Sequence, residues 1–246
     1  MRLPQEILDE IITYLIHNIP ALLSCSLTSY SWYIATVPHL HPNLLVFVDS
    51  LSKKARWPNP IRRMHRLGLL PFVKTVRIYG RPCFSSKWLN RRIIHQFSAL
   101  INVHTLEISF LDISSFIPTI QRYFGPFFPT VRSLGLKSPR GSNREIIFFI
   151  GLFQHLKNLS LRSCWSQREP EDLTLIPLFR PPLDGRLVAV NSNGEGFFQD
   201  MLHLFGEMSF KALSLSNVGA TRFLLRGCAK TLETVQLDPN DHLGER

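Results

Sequence analysis

Between Ser50 and Leu106 this sequence has no acidic residue at all, yet that stretch carries twelve Lys and Arg. The 246-residue chain holds 28 Lys and Arg against 18 Asp and Glu, a net of +10, so the remainder is close to neutral. The excess belongs to one segment and does not mark the chain as a general binder of nucleic acid. Long apolar runs are missing too. The longest, Ile146 to Phe153, is eight residues, far short of the about 20 that a bilayer-crossing helix needs. The first apolar stretch is broken by Glu6, Asp9 and Glu10, which the core of a secretory signal does not tolerate. Cysteines are few: Cys25, Cys83, Cys164 and Cys228 lie far apart with no CxxC pair. That distribution reads as reduced, buried thiols, not as a disulfide or zinc framework. Charged residues make up only 19% and hydrophobic ones 45%, which excludes disorder and coiled coil and leaves material for a sizeable core. A soluble intracellular protein, cytoplasmic or nuclear and without a membrane partner, is the expectation.

Catalytic and cofactor motifs are also absent. The sequence has no GxGxxG or GxxxxGK[ST] phosphate loop and no GxSxG elbow. Gly185, Gly194 and Gly196 stand near Asn191 and Asn193, which is turn chemistry. His39 and His41 have no Cys, Asp or HExxH frame beside them, and Asp238-Pro239-Asn240-Asp241 lacks the Gly and terminal Glu of a calcium loop. No metal, no cofactor and no enzymatic activity is expected. Asn158-Leu159-Ser160 matches the glycosylation sequon, read as coincidence in a chain without a secretory signal.

What is present begins with helices. Ile7, Leu8, Ile11, Ile12 and Leu15 form one apolar stripe over residues 5–17, opposite Glu6, Asp9, Glu10, Thr13 and His17. Pro4 opens this helix, and Asn18 with Pro20 closes it. A second short helix fits Pro20 to Thr28, and a third begins near Ser29 with Trp32, Tyr33 and Ile34. Three short helices bury little surface by themselves, so such a module leans on a neighbour.

The residues Leu3-Pro4-x-Glu6-Ile7-Leu8-x-x-Ile11-Ile12, then Leu23-x-x-Ser26-Leu27, then Ser31-Trp32 resemble the F-box. The likeness is to the F-box-like version common in fungal proteins, and it covers about 45 residues. Ser29 and Tyr30 stand where that family has a cysteine and a basic residue before Ser-Trp. The resemblance implies docking onto the adaptor subunit of a Skp–cullin–F-box ubiquitin ligase, with the rest of the chain selecting the substrate. The implied adaptor-binding residues are Leu3, Pro4, Ile7, Leu8, Ile11, Leu27 and Trp32. Apolar and aromatic anchors of this kind dominate docking interfaces.

Beyond residue 70 an apolar-x-x-apolar-x-apolar pattern recurs. It begins at Val73, Val103, Val131, Leu156, Phe210 and Leu232, with a blurred copy at Leu187-Val188-Ala189-Val190. First positions fall 30, 28, 25, 54 and 22 residues apart, and the longest interval is about two periods. Intervening stretches show helical spacing. Leu89, Ile93, Phe97 and Leu100 share one face, as do Ile113, Phe116, Ile117, Ile120 and Phe124. So do Ile146, Phe149, Ile150 and Phe153, after a capping box at Ser142-Asn143-Arg144-Glu145. Two more helices are expected around Phe197–Phe205 and Leu224–Leu232. A strand and a helix every 22–30 residues resembles an irregular leucine-rich-repeat solenoid; an ordinary α/β domain is the competing architecture.

The expected fold class is therefore α/β. A short all-α F-box-like module (1–48) is followed by a basic connecting segment (49–71). A leucine-rich-repeat-like β/α solenoid with a parallel sheet (72–246) follows, and we expect it to be truncated at its C-terminus. Alternate strand residues would face outward and form a concave partner surface: Arg77, Tyr79, Glu107, Lys137, Ser160, Arg162, Ser214 and Gln236, with Ser109, Ser216 and Asp238 in the same set. Its early rungs are basic, which points to a protein partner with an acidic patch. In the connecting segment Lys53, Lys54, Arg56, Arg62, Arg63 and Arg66 interleave with Trp57, Pro58, Pro60 and Met64. This reads as a solvated helix and loop. The competing functions are a scaffold of the same fold without ligase docking and a basic, nucleic-acid-associated binder.

Overall fold

The computed structural model describes residues 3–47, 60–80, 99–113, 128–164, 180–190, 195–206, 208–216 and 221–238. Three helices open the chain: α1 (Gln5–Leu15), α2 (Ile19–Ser26) and α3 (Tyr30–Leu40). Their starts follow from side-chain caps. The Asn18 side chain accepts from the Ala21 N–H with Pro20 in the first turn, and the Ser29 hydroxyl accepts from the Trp32 N–H. The helices share a small core of Leu8, Ile12, Leu22 and Ala35, with Leu15, Cys25, Trp32 and Leu40 packed at its margin. That core is distinct from the main one.

The main core belongs to one eight-stranded sheet, parallel throughout, with strands in sequence order: β1 (Asn43–Phe47), β2 (Thr75–Tyr79), β3 (Thr105–Ser109), β4 (Ser133–Lys137), β5 (Asn158–Arg162), β6 (Arg186–Val190), β7 (Ala212–Ser216) and β8 (Thr234–Asp238). Each strand has five residues, and neighbours pair in step, Val76 with Leu106, Leu106 with Leu134, Leu134 with Leu159. From β1 to β7 the second and fourth residues of every strand are buried. The same core takes in Ile61 of α4 (Pro60–Arg66), Phe149 of α5 (Asn143–Ile150), Phe198 of α6 (Glu195–Phe205) and Leu224 of α7 (Thr221–Gly227). Helices thus cover one face of the sheet and leave the other open.

This distinguishes the fold from a doubly wound domain. Parallel strands covered on both faces read as continuous apolar runs, whereas β2 through β5 alternate. A strand order that never reverses also lacks the switch point at which doubly wound sheets open a ligand crevice. Each expected strand is present. β1 was not anticipated, and it starts the sheet inside residues 1–48. The capping box of α5 is formed as expected, with the Ser142 hydroxyl accepting from Glu145 N–H and the Glu145 carboxylate accepting from Ser142 N–H. The helices expected over 89–100 and 113–124 lie almost wholly outside the described residues.

A repeated backbone device holds the rungs in step. The carbonyl two residues before the second strand position accepts two N–H groups from the next rung: Pro42 from Lys74 and Thr75, Lys74 from His104 and Thr105, His104 from Arg132 and Ser133, Arg132 from Lys157 and Asn158. Only the step into β6 departs. There the Asn158 side-chain oxygen accepts from Arg186 N–H at 2.8 Å, and its amide donates to the Ser133 hydroxyl at 3.1 Å. Both ends of the Asn158 side-chain amide are thus engaged by the fold. A Cβ on Gly185 would collide with that side-chain oxygen and lie 3.0 Å from the Lys157 carbonyl, so only glycine fits. At the other end of the strands, Phe110, Ser138 and Ser163 each follow a strand, adopt positive φ, and donate their N–H to the last carbonyl or its equivalent on the next strand.

Candidate functional site

The open face is built from the first, third and fifth residues of each strand. Over β2 to β6 it forms a groove of about 660 Å³. Of the residues expected on a partner surface, Tyr79, Glu107, Lys137, Ser160 and Arg162 line this groove. Arg77 is exposed and pairs in register with Glu107, its Nε 2.9 Å and its Nη2 3.4 Å from the two carboxylate oxygens. Both partners are well exposed, so the pair adds little stability, but it neutralises Glu107. Ser214 and Gln236 lie farther along the face, where the Gln236 side-chain oxygen accepts from Arg186 Nη2 at 3.3 Å.

Ser109 lines the groove as expected, although it is only 7% exposed. One expectation on this face needs correction: Ser216 is buried, at 5% exposure. The side chain of Asp238 lies outside the described residues. Other lining residues were missed. Thr105, Ser133, Asn158 and Arg186 occupy first strand positions, which a reading of third and fifth residues skips; Gly135 has no side chain to read; and Val188 lies in the blurred copy of the repeat.

The charge of the groove is one-sided. Lys137 and Arg162 are register partners on adjacent strands, about 4.8 Å apart along the hydrogen-bonding direction. Lys137 stands over the Phe110 ring at 5.7 Å, a cation–π contact. Neither cation has an acidic partner among the described residues. Between them and the Arg77–Glu107 pair the floor is Gly135, Ser133 and Ser160.

The helical module presents a different surface. Leu3, Pro4, Ile7 and Leu27 are exposed, Leu27 to 87%. Ile11 and Trp32 are half-buried. Leu8, expected as an anchor, is only 2% exposed and packs with Ile12, Leu22 and Ala35. It supports this surface from beneath. Exposed Ile19, Leu23, Tyr30, Tyr33 and Ile34 extend the apolar area beyond the expected set. Most large exposed hydrophobic residues among the described ones lie between Leu3 and Ile34, a concentration of the kind that interaction surfaces show.

The described residues include two buried thiols and one partly buried imidazole. No group of three His, Cys, Asp or Glu is placed to hold a metal ion among them. Burial pushes the Cys164 thiol up to about 12 and raises Cys228, so both stay protonated at neutral pH. Burial, then the nearby Arg63 charge, lowers the His41 pKa, which keeps its ring neutral. In the basic segment, Arg62, Arg63 and Arg66 of α4 are exposed while Ile61 enters the main core; residues 48–59 lie outside the described residues. No described helix is long and apolar enough to cross a membrane. No protein-family model matches this chain, and no curated protein is significantly similar to it in sequence.

Proposed function

We propose that this protein is a non-enzymatic substrate-recognition subunit of a Skp–cullin–F-box type ubiquitin ligase. The helices α1 to α3 are read as an F-box-like module that docks on the adaptor. The sheet and its helices are read as an irregular leucine-rich-repeat solenoid whose open face takes the target. The observation that carries the docking half is the exposed apolar surface of Leu3, Ile7, Leu23 and Leu27 over a separately closed helical core, joined to the Leu-Pro opening and Ser31-Trp32 spacing. The strand order and one-sided burial of the sheet support the solenoid half. Leu3 and Pro4 make the better anchors than Leu8, which is already spent on internal packing.

The test is a pulldown of the full chain with the ligase adaptor. Wild type is expected to bind, and Leu3→Ala/Pro4→Ala is expected to lose most of that binding with an unchanged melting temperature. Failure of wild type and variant alike overturns the receptor reading.

A further inference from the structure

We infer that the groove over β2 to β6 takes an extended acidic peptide carrying two carboxylates four residues apart. This deepens the target-binding half of the reading above and does not depend on adaptor docking.

The inference starts from where the cations sit along the strands. Lys137 and Arg162 are both last residues of their strands, β4 and β5. Arg186 is the first residue of β6, and the partner of Arg162 on that strand is Val190. Arg186 and the Lys137–Arg162 pair therefore lie at opposite ends of the groove. Four residue steps separate them along the strand direction, about 13 Å. An extended ligand lying along the strands has the same rise, so its residues i and i+4 meet the two ends.

The ends differ in how they hold an anion. At one end two cations flank a single position, and each lacks an acidic neighbour among the described residues. Two like charges this close repel until an anion lies between them. At the other end the side-chain partner of Arg186 among the described residues is the neutral Gln236 oxygen at 3.3 Å, which leaves its charge uncompensated there and most of its donors available to a carboxylate. The acid nearest the middle, Glu107, is already matched by Arg77, so it does not cancel this field.

The floor explains why a backbone can approach. Gly135 lies at the centre with ordinary backbone geometry, and a Cβ there would make only van der Waals contact, 3.4 Å from the Glu107 Cγ. Glycine at this position is thus not needed by the fold. Its effect is to leave room above the sheet, with Ser133 and Ser160 beside it.

The experiment uses the full chain and a fluorescein-labelled twelve-residue Ser/Thr peptide with two Glu at i and i+4, read by fluorescence anisotropy at low salt. Three results are expected. The wild-type chain binds this peptide; placing the two Glu adjacent weakens it about tenfold, the scale of one charge-assisted contact, and replacing both by Gln weakens it about a hundredfold. Lys137→Gln and Arg162→Gln each weaken binding about fivefold to tenfold, and Gly135→Leu abolishes it with no change of charge. Arg226→Gln, at an exposed position of α7 on the opposite, helix-covered face, has no effect. The inference is overturned if the wild-type chain does not bind the peptide, if the Gln peptide binds equally well, or if Arg226→Gln weakens binding as much as Arg162→Gln. Tighter binding of oligouridylate than of the peptide, lost in the same variants, also overturns it in favour of nucleic acid. A negative peptide result beside a positive adaptor pulldown rejects the ligand and leaves the docking reading standing.

Discussion

Replacing Asn158 by Ala probes the one rung whose backbone ladder is completed by a side chain. Two hydrogen bonds disappear, to Arg186 N–H at 2.8 Å and from the side-chain amide to the Ser133 hydroxyl at 3.1 Å. Each such bond contributes about 1 kcal/mol net, and both lie on a half-buried residue, so the expected loss is about 2 kcal/mol. For a chain of this size that lowers the melting temperature by about 4–8 °C. Urea titration followed by circular dichroism measures it. Asn158→Asp keeps both contacts, because the carboxylate still accepts from Arg186 N–H and the Ser133 hydroxyl can turn to donate to it. It should lose well under half as much as Asn158→Ala, and Ser133→Ala about 1 kcal/mol. Equal losses for the Asp and Ala variants, or a loss below about 0.5 kcal/mol for Ala, would refute the assignment of Asn158 as the substitute acceptor.

Three further outcomes follow from packing and titration. Phe149 is fully buried in α5 and meets Phe153 edge-to-face at 5.2 Å; Phe149→Ala should cost about 3–5 kcal/mol by chemical denaturation. Cys164, its pKa raised from 9.0 to about 12 by burial, holds its proton more tightly folded than unfolded. Its contribution to stability is full below pH 9 and is lost as pH rises toward 12, so Cys164→Ala should flatten the fall of stability over that range. The same thiol should resist a disulfide reagent at pH 8 until the chain is denatured. On the edge strand β8, Leu237 is 59% exposed although its equivalent on β7, Leu215, is 3% exposed. Leu237→Lys should raise solubility with a stability change within about 0.5 kcal/mol, whereas Leu215→Lys should prevent folding.

The strands from β2 onward were legible because one face of the sheet is open. Polar residues at the third and fifth positions of β2, β3 and β5 set off the buried pairs Val76 and Ile78, Leu106 and Ile108, Leu159 and Leu161. β1 escaped notice for the converse reason. Its outward residue Leu45 is itself apolar, so Leu44 to Phe47 reads as an unpatterned apolar run continuing from the helices. Period-two alternation places a residue on a face but does not give its exposure: Ser109 and Ser216 are buried, whereas Lys137 and Arg162 at the same strand position are exposed. The positive-φ turns at Phe110, Ser138 and Ser163 carry no Gly or Asn to announce them. In the helical module the stripe of Ile7, Leu8, Ile11, Ile12 and Leu15 was readable, but which of its members face inward was not. A helix of three turns in a module this small buries only part of its apolar arc, and Leu8 and Ile12 took that place.

The receptor reading stands or falls on which surface meets the ligase adaptor, and amide hydrogen exchange of the full chain with and without that adaptor measures this directly. Protection confined to residues 3–34, strongest around Leu3, Ile7 and Leu27, with no change over β2 to β6, is the expected result. An absence of protection in α1 to α3, or protection over the sheet face in its place, contradicts it.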